Sequence, residues 1–93
     1  MSCKITTSSS FRRDFKRCMR RGLDMRLITD AMDLLEQTGT LPASYQPHKL
    51  KGDFKGAMEC HITPDWLLIY EKKDELRLVR LIRTGTHADL YGK

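Results

Sequence analysis

The spacing of apolar residues changes once along this chain, and that change restricts the fold more than any other feature. Before residue 48, apolar positions recur at the three- and four-residue intervals of amphipathic helices. After it, they alternate with polar residues or form continuous apolar runs, as strands do. The pattern predicts an α+β domain in which helices pack on one face of a mainly antiparallel sheet. The 93 residues suffice for one core, so we expect residues 1–93 to form a single domain.

The first half predicts one short strand and a helical hairpin. Residues 3–7 are β-prone and should form the strand. The first helix should follow the serine caps at residues 8–10 and end near Gly22. The second should begin at a cap on Asp24 and end at Gly39. Their apolar stripes comprise Phe11, Phe15, Cys18 and Met19 on the first helix, and Leu27, Ile28, Ala31, Met32, Leu34 and Leu35 on the second.

The second half predicts three strands and a short closing helix, so that the whole order is β-α-α-β-β-β with a terminal helical turn. We expect a half-buried strand over residues 54–62, which a turn over 63–65 connects to a central strand over 66–70. A second turn over 71–75 leads to a partner strand over 76–84. A closing helical turn capped by Thr86 and Asp89 follows. The connector over residues 38–47 contains two prolines, which disfavour both helix and central strand.

Positive charge is concentrated in the first helix. The chain has a formal net charge of +5, and residues 11–22 alone carry six cations against one acid. These cations are Arg12, Arg13, Lys16, Arg17, Arg20 and Arg21. Such a cluster suits a phosphate backbone or an acidic protein, although a solvated helix face is an equally good interpretation.

Cysteine usage and hydropathy indicate a soluble cytoplasmic protein with no membrane partner. The three cysteines are an odd number and show no C-x-x-C spacing, so we expect reduced thiols. No apolar run approaches the ~18 residues that a membrane span requires. Residues 1–10 lack the apolar core of a signal peptide.

The candidate catalytic groups all belong to the strand half. His48, His61 and His87 are interleaved with Asp65 and Arg83 at expected strand ends and loops. Imidazoles exchange protons near neutral pH, and a guanidinium can stabilise the negative charge of a phosphorane. We therefore expect these side chains to converge in a site for phosphodiester cleavage by a neighbouring 2′-hydroxyl.

Two further interpretations concern aromatic residues and metals. Trp66 and Tyr91 could stack on a nucleobase, although Trp66 opens an apolar strand and could equally belong to the core. The histidines and Asp65 could instead bind zinc, but no H-x-x-x-H or H-x-x-E-H pair is present. We therefore expect neither a metal site nor a cofactor.

Three ordered motifs resemble one protein family over nearly the full length. They are H-x-L-x-G-x-x-K-G at 48–56, E-C-H-I-x-P-D-W-L-L-I-Y at 59–70 and R-T-G-T-H-x-x-L-Y at 83–91. The chain resembles the YafQ branch of the RelE/ParE superfamily of bacterial type II toxins. The resemblance implies an endoribonuclease that enters the ribosomal A site, cuts mRNA without a metal and is inactivated by a cognate antitoxin.

The resemblance also implies the roles of individual residues. It places the active-site residues at His48, His61, Asp65, Arg83 and His87, and the aromatic positions at Trp66 and Tyr91. Phenylalanine is common in the family where this chain has Tyr91. The basic first helix is expected to contact ribosomal RNA or an acidic segment of the antitoxin.

Two alternatives share the same architecture. One is a non-catalytic ParE-like toxin that inhibits a DNA topoisomerase, and the other is a basic RNA-binding module. Neither requires the set of histidines, so their presence favours the nuclease.

Overall fold

The structure, a computed structural model, describes residues 2–92 and has the predicted α+β architecture. Its elements are β1 (Lys4–Thr7), α1 (Ser9–Arg20), α2 (Met25–Thr38), β2 (His48–Lys49), β3 (Met58–Thr63), β4 (Trp66–Lys73), β5 (Leu78–Gly85) and α3 (His87–Tyr91). Short 3₁₀ turns occupy Ala43–Tyr45, Gly52–Phe54 and Asp74–Leu76. Among the described residues, no helix is both long enough and apolar enough to cross a membrane.

The five strands form one sheet in the order β1-β5-β4-β3-β2. All neighbouring pairs are antiparallel except β1 and β5, which are parallel. One row of directly opposed residues across four strands consists of His48, Glu59, Ile69 and Arg83. Because directly opposed residues lie on the same face of a sheet, this row defines the face that carries the candidate site.

The helices pack on the opposite face of the sheet. The hydrophobic core between the helices and the sheet consists of Phe11, Cys18, Ile28, Leu35, Cys60, Trp66, Leu68, Tyr70, Val79 and Leu81, called the core cluster below. Met19 and Leu27, predicted to belong to the apolar stripes, are instead exposed by 53% and 40%. Asp14 of α1, by contrast, is buried although it is charged.

The way α1 begins explains why a carboxylate is buried beside the sheet. Ser8 caps α1 by accepting from the backbone N–H of Phe11, and its own N–H donates to the carbonyl of Leu81. The chain thus leaves β1 at this point, and the remaining edge of β5 lacks a strand partner. Asp14 takes its place, because its carboxylate accepts from the backbone N–H of Thr84 at 3.1 Å.

The helix ends follow the predicted capping residues. Asp24 caps α2 through the backbone N–H of Arg26, and Gly39 ends it in the left-handed conformation at φ 75°. At the end of the chain, Thr86 and Asp89 form a reciprocal capping box that begins α3.

The strands differ from the prediction in number and in their bounds. The short strand β2 (His48–Lys49) was not predicted, and β5 begins at Leu78 rather than at residue 76. The strand expected over residues 54–62 begins only at Met58, because a 3₁₀ turn and Gly56, at φ 92°, interrupt it. The turn expected over residues 71–75 is shorter, since β4 continues to Lys73. The chain then reverses through a 3₁₀ turn that ends at Arg77, whose φ of 49° is left-handed.

Candidate active site

Three imidazole rings form a continuous row at one end of the sheet. His48 lies on β2, His61 on β3, and His87 is the first residue of α3. The ring centroids of His48 and His61 are 6.1 Å apart, and those of His61 and His87 are 6.2 Å apart. The structure therefore brings together groups that are 39 residues apart in sequence, from position 48 to position 87. This spacing can accommodate one phosphate group between neighbouring rings.

Glu59 is a buried carboxylate within this row, with 6% of its surface exposed. One of its oxygens, Oε1, is 3.1 Å from Nε2 of His48, and the other accepts a hydrogen bond from the hydroxyl of Tyr91. Nδ1 of His48 lies 2.9 Å from the carbonyl oxygen of Gln46. Both nitrogens of His48 thus face oxygen acceptors, an arrangement that only the imidazolium satisfies fully. Glu59 and the carbonyl of Gln46 therefore fix the orientation of the His48 ring.

Asp65 is paired with His87. Oδ1 of Asp65 is 2.5 Å from Nδ1 of His87 and also accepts from the backbone N–H of that residue at 3.0 Å. The hydrogen bond from His87 holds the pKa of Asp65 below its ordinary value. With Nδ1 engaged, Nε2 is the nitrogen of His87 that can exchange a proton with a substrate. Asp65 therefore orients the ring of His87, although the sequence alone did not indicate which histidine Asp65 would contact.

His61 lies between the other two imidazoles. It shares its strand face with Glu59, two residues earlier on β3, because side chains alternate along a strand. Among the side chains that the structure describes, none makes a hydrogen bond to the ring of His61. Both of its nitrogens are consequently available to a substrate.

The helix α3 is anchored to α1 by ionic contacts. The guanidinium of Arg21 donates to both carboxylate oxygens of Asp89, at 2.6 and 3.0 Å. The hydrogen bond from Arg21 is the main cause that holds the pKa of Asp89 well below its ordinary value. Because Asp89 also caps α3, the pair fixes the start of the helix that carries His87 and Tyr91.

Tyr91 borders the row of histidines and is 39% exposed. Burial of its hydroxyl, together with the hydrogen bond to Glu59, raises the pKa of Tyr91 to about 12. Its ring meets Phe54 edge to face, with centroids 6.3 Å apart. The hydroxyl of Tyr91 is therefore engaged, while 39% of the residue's surface remains exposed.

The structure argues against base stacking by Trp66. Its side chain belongs to the core cluster and is only 3% exposed. The indole N–H donates to Oγ1 of Thr84 at 2.9 Å, and this hydroxyl in turn donates to the carbonyl of Leu67 at 2.7 Å. Because its polar atom is satisfied inside the protein, Trp66 acts as part of the core that supports β4 and β5.

Arg83 lies apart from the imidazoles. Its Nε donates to Oδ2 of Asp14 at 2.5 Å, and Nη2 donates to Oδ1 at 3.3 Å. The register places its Cα two strands from Glu59, a separation of about 10 Å. In this conformation Arg83 contacts α1, and none of its hydrogen bonds among residues 2–92 goes to a histidine.

The cations of α1 have different surroundings. Arg12 donates to Thr7, Arg13 to Ser10, Arg17 to Asp14, and Arg21 to Asp89. Lys16 and Arg20 belong to the same helix, and Arg20 borders a cavity with Arg13 and Arg17. The six residues predicted as one contact surface therefore divide into separate groups.

Two acids important to this geometry were missed by sequence reasoning. Glu59 could have been found, because alternation places it on the strand face of His61. Asp14 is the single acid among six cations of α1, yet its burial depends on where β1 ends, which no local pattern reveals.

One set of side chains could bind a metal ion. The ligand atoms of His48, Glu59 and His61 lie within 4.8 Å of one another. Two imidazoles and a carboxylate are ligands of the type that zinc and copper accept. A shared ion would have to replace the present contact between His48 and Glu59, so metal binding and that contact exclude each other.

Comparison with known proteins gives consistent matches over the whole chain. The model of the YafQ toxin family, bacterial toxins of type II toxin-antitoxin systems, matches residues 3–92. The mRNA interferase toxin YafQ of Escherichia coli K12 is 43% identical over 89 residues, covering 95% of each chain. The putative toxin YafQ of Haemophilus influenzae is 36% identical over 87 residues, covering 84% of each chain.

Solved structures agree with the fold. The chain superposes on the E. coli DinJ-YafQ toxin-antitoxin complex with a TM-score of 0.88 and 40% identity, covering 99% of this chain and 100% of that chain. A metal-bound toxin from Helicobacter pylori has a TM-score of 0.85 and 35% identity, covering 98% and 100% of the two chains.

Proposed function

The chain belongs to the YafQ family of bacterial toxins of type II toxin-antitoxin systems, and we propose that it is an endoribonuclease that cleaves mRNA in the ribosomal A site. The E. coli relatives at 43% identity are named mRNA interferase toxins, which supports the endoribonuclease activity. The observation that carries the proposal is the row of three imidazoles, two of which are paired with carboxylates.

The proposed chemistry is an attack by the 2′-hydroxyl on the neighbouring phosphorus. His61, whose ring nitrogens are available, removes the proton of the 2′-hydroxyl as general base. The P–O5′ bond breaks as the new P–O2′ bond forms, and His87 donates a proton from Nε2 to the departing 5′-oxygen. The products are a 2′,3′-cyclic phosphate and a 5′-hydroxyl.

Carboxylates prepare two of the histidines for these roles. Asp65, bonded to Nδ1 of His87, stabilises the imidazolium that serves as general acid. Glu59 holds the ring of His48 beside the site, and the imidazolium form of His48 would stabilise the negative charge of the phosphorane. Direct contact of Arg83 with that charge, as the resemblance implies, would require the guanidinium to leave Asp14.

The decisive experiment compares His61→Ala and His87→Ala with the unchanged toxin on ribosomes programmed with a defined mRNA. Each substitution should slow cleavage about 10²- to 10⁴-fold, the usual contribution of a general acid or base. Sequencing of the fragment ends should find a cyclic phosphate and a 5′-hydroxyl. Gln37→Ala, an exposed change on α2, is the matched control and should cleave normally.

Two outcomes would contradict the proposal. One is normal cleavage by both histidine variants when circular dichroism shows that they are folded. The other is equal cleavage of the mRNA with and without ribosomes. That result would still support nuclease activity but would show that cleavage does not depend on the ribosomal A site.

We also propose a cognate antitoxin as partner, because DinJ is bound to YafQ in the E. coli complex. The cations of α1 that form no ion pair with the residues that the structure describes would attract an acidic segment of such a protein. Co-expression with the neighbouring short reading frame should suppress growth arrest, and the two proteins should purify together.

The proposed reaction uses side chains of the chain alone. Bound copper or zinc would occupy a lone pair of His61 that proton transfer requires and would displace the contact of His48 with Glu59. Because a related H. pylori toxin is metal-bound, we propose that such an ion inhibits this toxin by competing with substrate.

A further inference from the structure

Beside the row of histidines, α1 and β5 enclose a second, strongly basic cavity of about 330 Å³. Its walls are Ser10, Arg13, Asp14, Arg17, Arg20 and Arg83. The lining includes four arginines and one aspartate, a formal surplus of three positive charges, and Asp89 lies 3.8 Å from Nη2 of Arg17 beside it. Such a surplus favours an anion as the ligand.

Asp14 organises two of these arginines without neutralising the cavity. Its carboxylate accepts from Nε and Nη2 of Arg83 and from Nη2 of Arg17 at 3.0 Å. The carboxylate is buried and also bonded to the backbone of Thr84, so it holds both guanidinium groups at fixed positions. Fixed, planar guanidinium groups bind phosphate through paired hydrogen bonds with little loss of side-chain entropy.

One atom of the cavity wall has unused hydrogen-bonding capacity. Nε of Arg17 is buried and has no hydrogen-bond partner within residues 2–92. The Arg17 side chain as a whole is 33% exposed, so its guanidinium is reached from the cavity through other atoms than Nε. Arg13 and Arg20 are exposed at the rim and can contribute further donors.

The position of the cavity identifies its ligand. The register places the Cα of Arg83 in the same row as Glu59, about 10 Å away across β4. Its guanidinium reaches Asp14 of α1, which is bonded to the backbone of β5, so the cavity lies at this edge of the sheet. A single nucleic-acid strand carries one phosphate per nucleotide, with a rise of roughly 3.4 Å. An RNA strand whose scissile bond lies on the histidines therefore reaches the cavity within a few nucleotides.

We propose that Arg13, Arg17, Arg20 and Arg83 bind one backbone phosphate of the RNA strand that is cut, a few nucleotides from the scissile bond. This inference rests on the proposed nuclease function and names the contact that aligns its substrate. Arg12 and Arg21 are excluded, because neither lines the cavity. Arg12 donates instead to Thr7, and Arg21 donates to Asp89.

The first test measures binding of a short, fully 2′-O-methylated RNA, which cannot be cleaved, by fluorescence anisotropy at low salt. Arg13→Ala and Arg20→Ala should each weaken binding about fivefold or more. They should also lower the slope of log K against log salt by about 0.7, the value for one phosphate contact on a single strand. Arg12→Ala, which removes the same charge from the same helix, is the control and should change affinity less than twofold.

The second test identifies the phosphate. Each linkage of the RNA is replaced in turn by an uncharged methylphosphonate, and the oligonucleotides are titrated with the unchanged toxin and with the Arg13→Ala/Arg20→Ala double variant. Neutralising one linkage near the cleavage site should weaken RNA binding by the unchanged toxin but should not weaken binding by the double variant. Equal losses for Arg12→Ala and the cavity variants, no linkage with this behaviour, or no binding by the unchanged toxin would each overturn the inference.

The two proposals can fail separately. His61→Ala should bind the methylated RNA normally and fail to cleave mRNA. If His61→Ala cleaves normally while neutralising one linkage weakens binding only when Arg13 and Arg20 are present, the nuclease mechanism is wrong and the phosphate site stands. If cleavage requires His61 but no linkage depends on Arg13 and Arg20 in this way, only the phosphate site is wrong.

Discussion

At the scale of single residues, Tyr91 combines two functions in one side chain. Its hydroxyl is bonded to buried Glu59, while its half-exposed ring lies beside the histidines. The hydroxyl therefore belongs to the support of the site and the ring belongs to its surface. Substitutions can separate the two contributions.

We expect Tyr91→Phe and Tyr91→Ala to differ strongly in RNA binding. Phenylalanine keeps the stacking face and the contact with Phe54, so affinity should change less than about twofold, with a loss of stability near 1 kcal/mol. Alanine removes the ring and should weaken binding about 5- to 150-fold, equivalent to ~1–3 kcal/mol of stacking. Anisotropy with the methylated RNA measures both, and equal losses for the two variants would show that the ring does not stack.

A second expectation concerns metal ions at His48, Glu59 and His61. Copper or zinc at one equivalent should bind, measured by calorimetry, and should stop cleavage until a chelator is added. Chelator alone should leave the metal-free toxin fully active, since the proposed proton transfers need no ion. His48→Ala should lose calorimetric binding, whereas the control Asp33→Asn should retain it. Stimulation of cleavage by the metal would contradict the proposal.

Sequence reasoning worked for residues whose role depends on their chemistry and failed where the role depends on burial. The histidines and Asp65 were identifiable because they are the titratable groups of the strand half, and the structure brings them together. Trp66 was given two possible roles, and only the partner Thr84 from another strand decides between them. Asp14 is buried for an equally distant reason, the end of β1.

At the scale of secondary structure, capping chemistry predicted the helices better than alternation predicted the strands. Gly22, Asp24 and Gly39 bound the hairpin as their side chains or positive φ require. The alternation before Met58 was misleading, since the same spacing occurs in a 3₁₀ turn followed by a glycine. Pairing across the sheet, which a single strand does not encode, determines where β3 begins.

The anchoring of α3 to α1 yields a prediction on stability and its pH dependence. Asp89→Asn removes the charge that pairs with Arg21 and should lower the free energy of unfolding at pH 7 by ~1 kcal/mol or less, because the Arg21 side chain is 43% exposed and solvent screens the pair. The folded-state pKa of Asp89 is depressed, so this contribution is present above the unfolded-state value near ~4. It is lost as the pH falls further toward the folded-state value.

Urea unfolding at pH 7 and near pH 3 measures this effect. The difference between the unchanged protein and Asp89→Asn should be smaller at the lower pH. Asp33→Asn, a change at an exposed acid of α2, should show little difference at either pH. A gap that widens on acidification would contradict the assigned pairing.

At the scale of the whole molecule, the change of apolar period was enough to predict the α+β class, and the structure confirms it. The parallel pairing of β1 with β5 was beyond the sequence, because it joins strands that are 74 residues apart, from Lys4 to Leu78. The net charge of +5 likewise does not reveal which cations can bind a partner. Asp14 and Asp89 form ion pairs with some arginines of α1, and other arginines of the helix make no such pair with these two acids.

That parallel pairing has a consequence for how the protein is made. Synthesis proceeds from the N-terminus, so β1 emerges first and must wait for its neighbour, the last strand of the chain. A nascent chain that ends before Leu78 lacks both β5 and His87, so neither the complete sheet nor the row of histidines can form. The proposed active site therefore assembles last, only after residues 78–87 have joined the sheet.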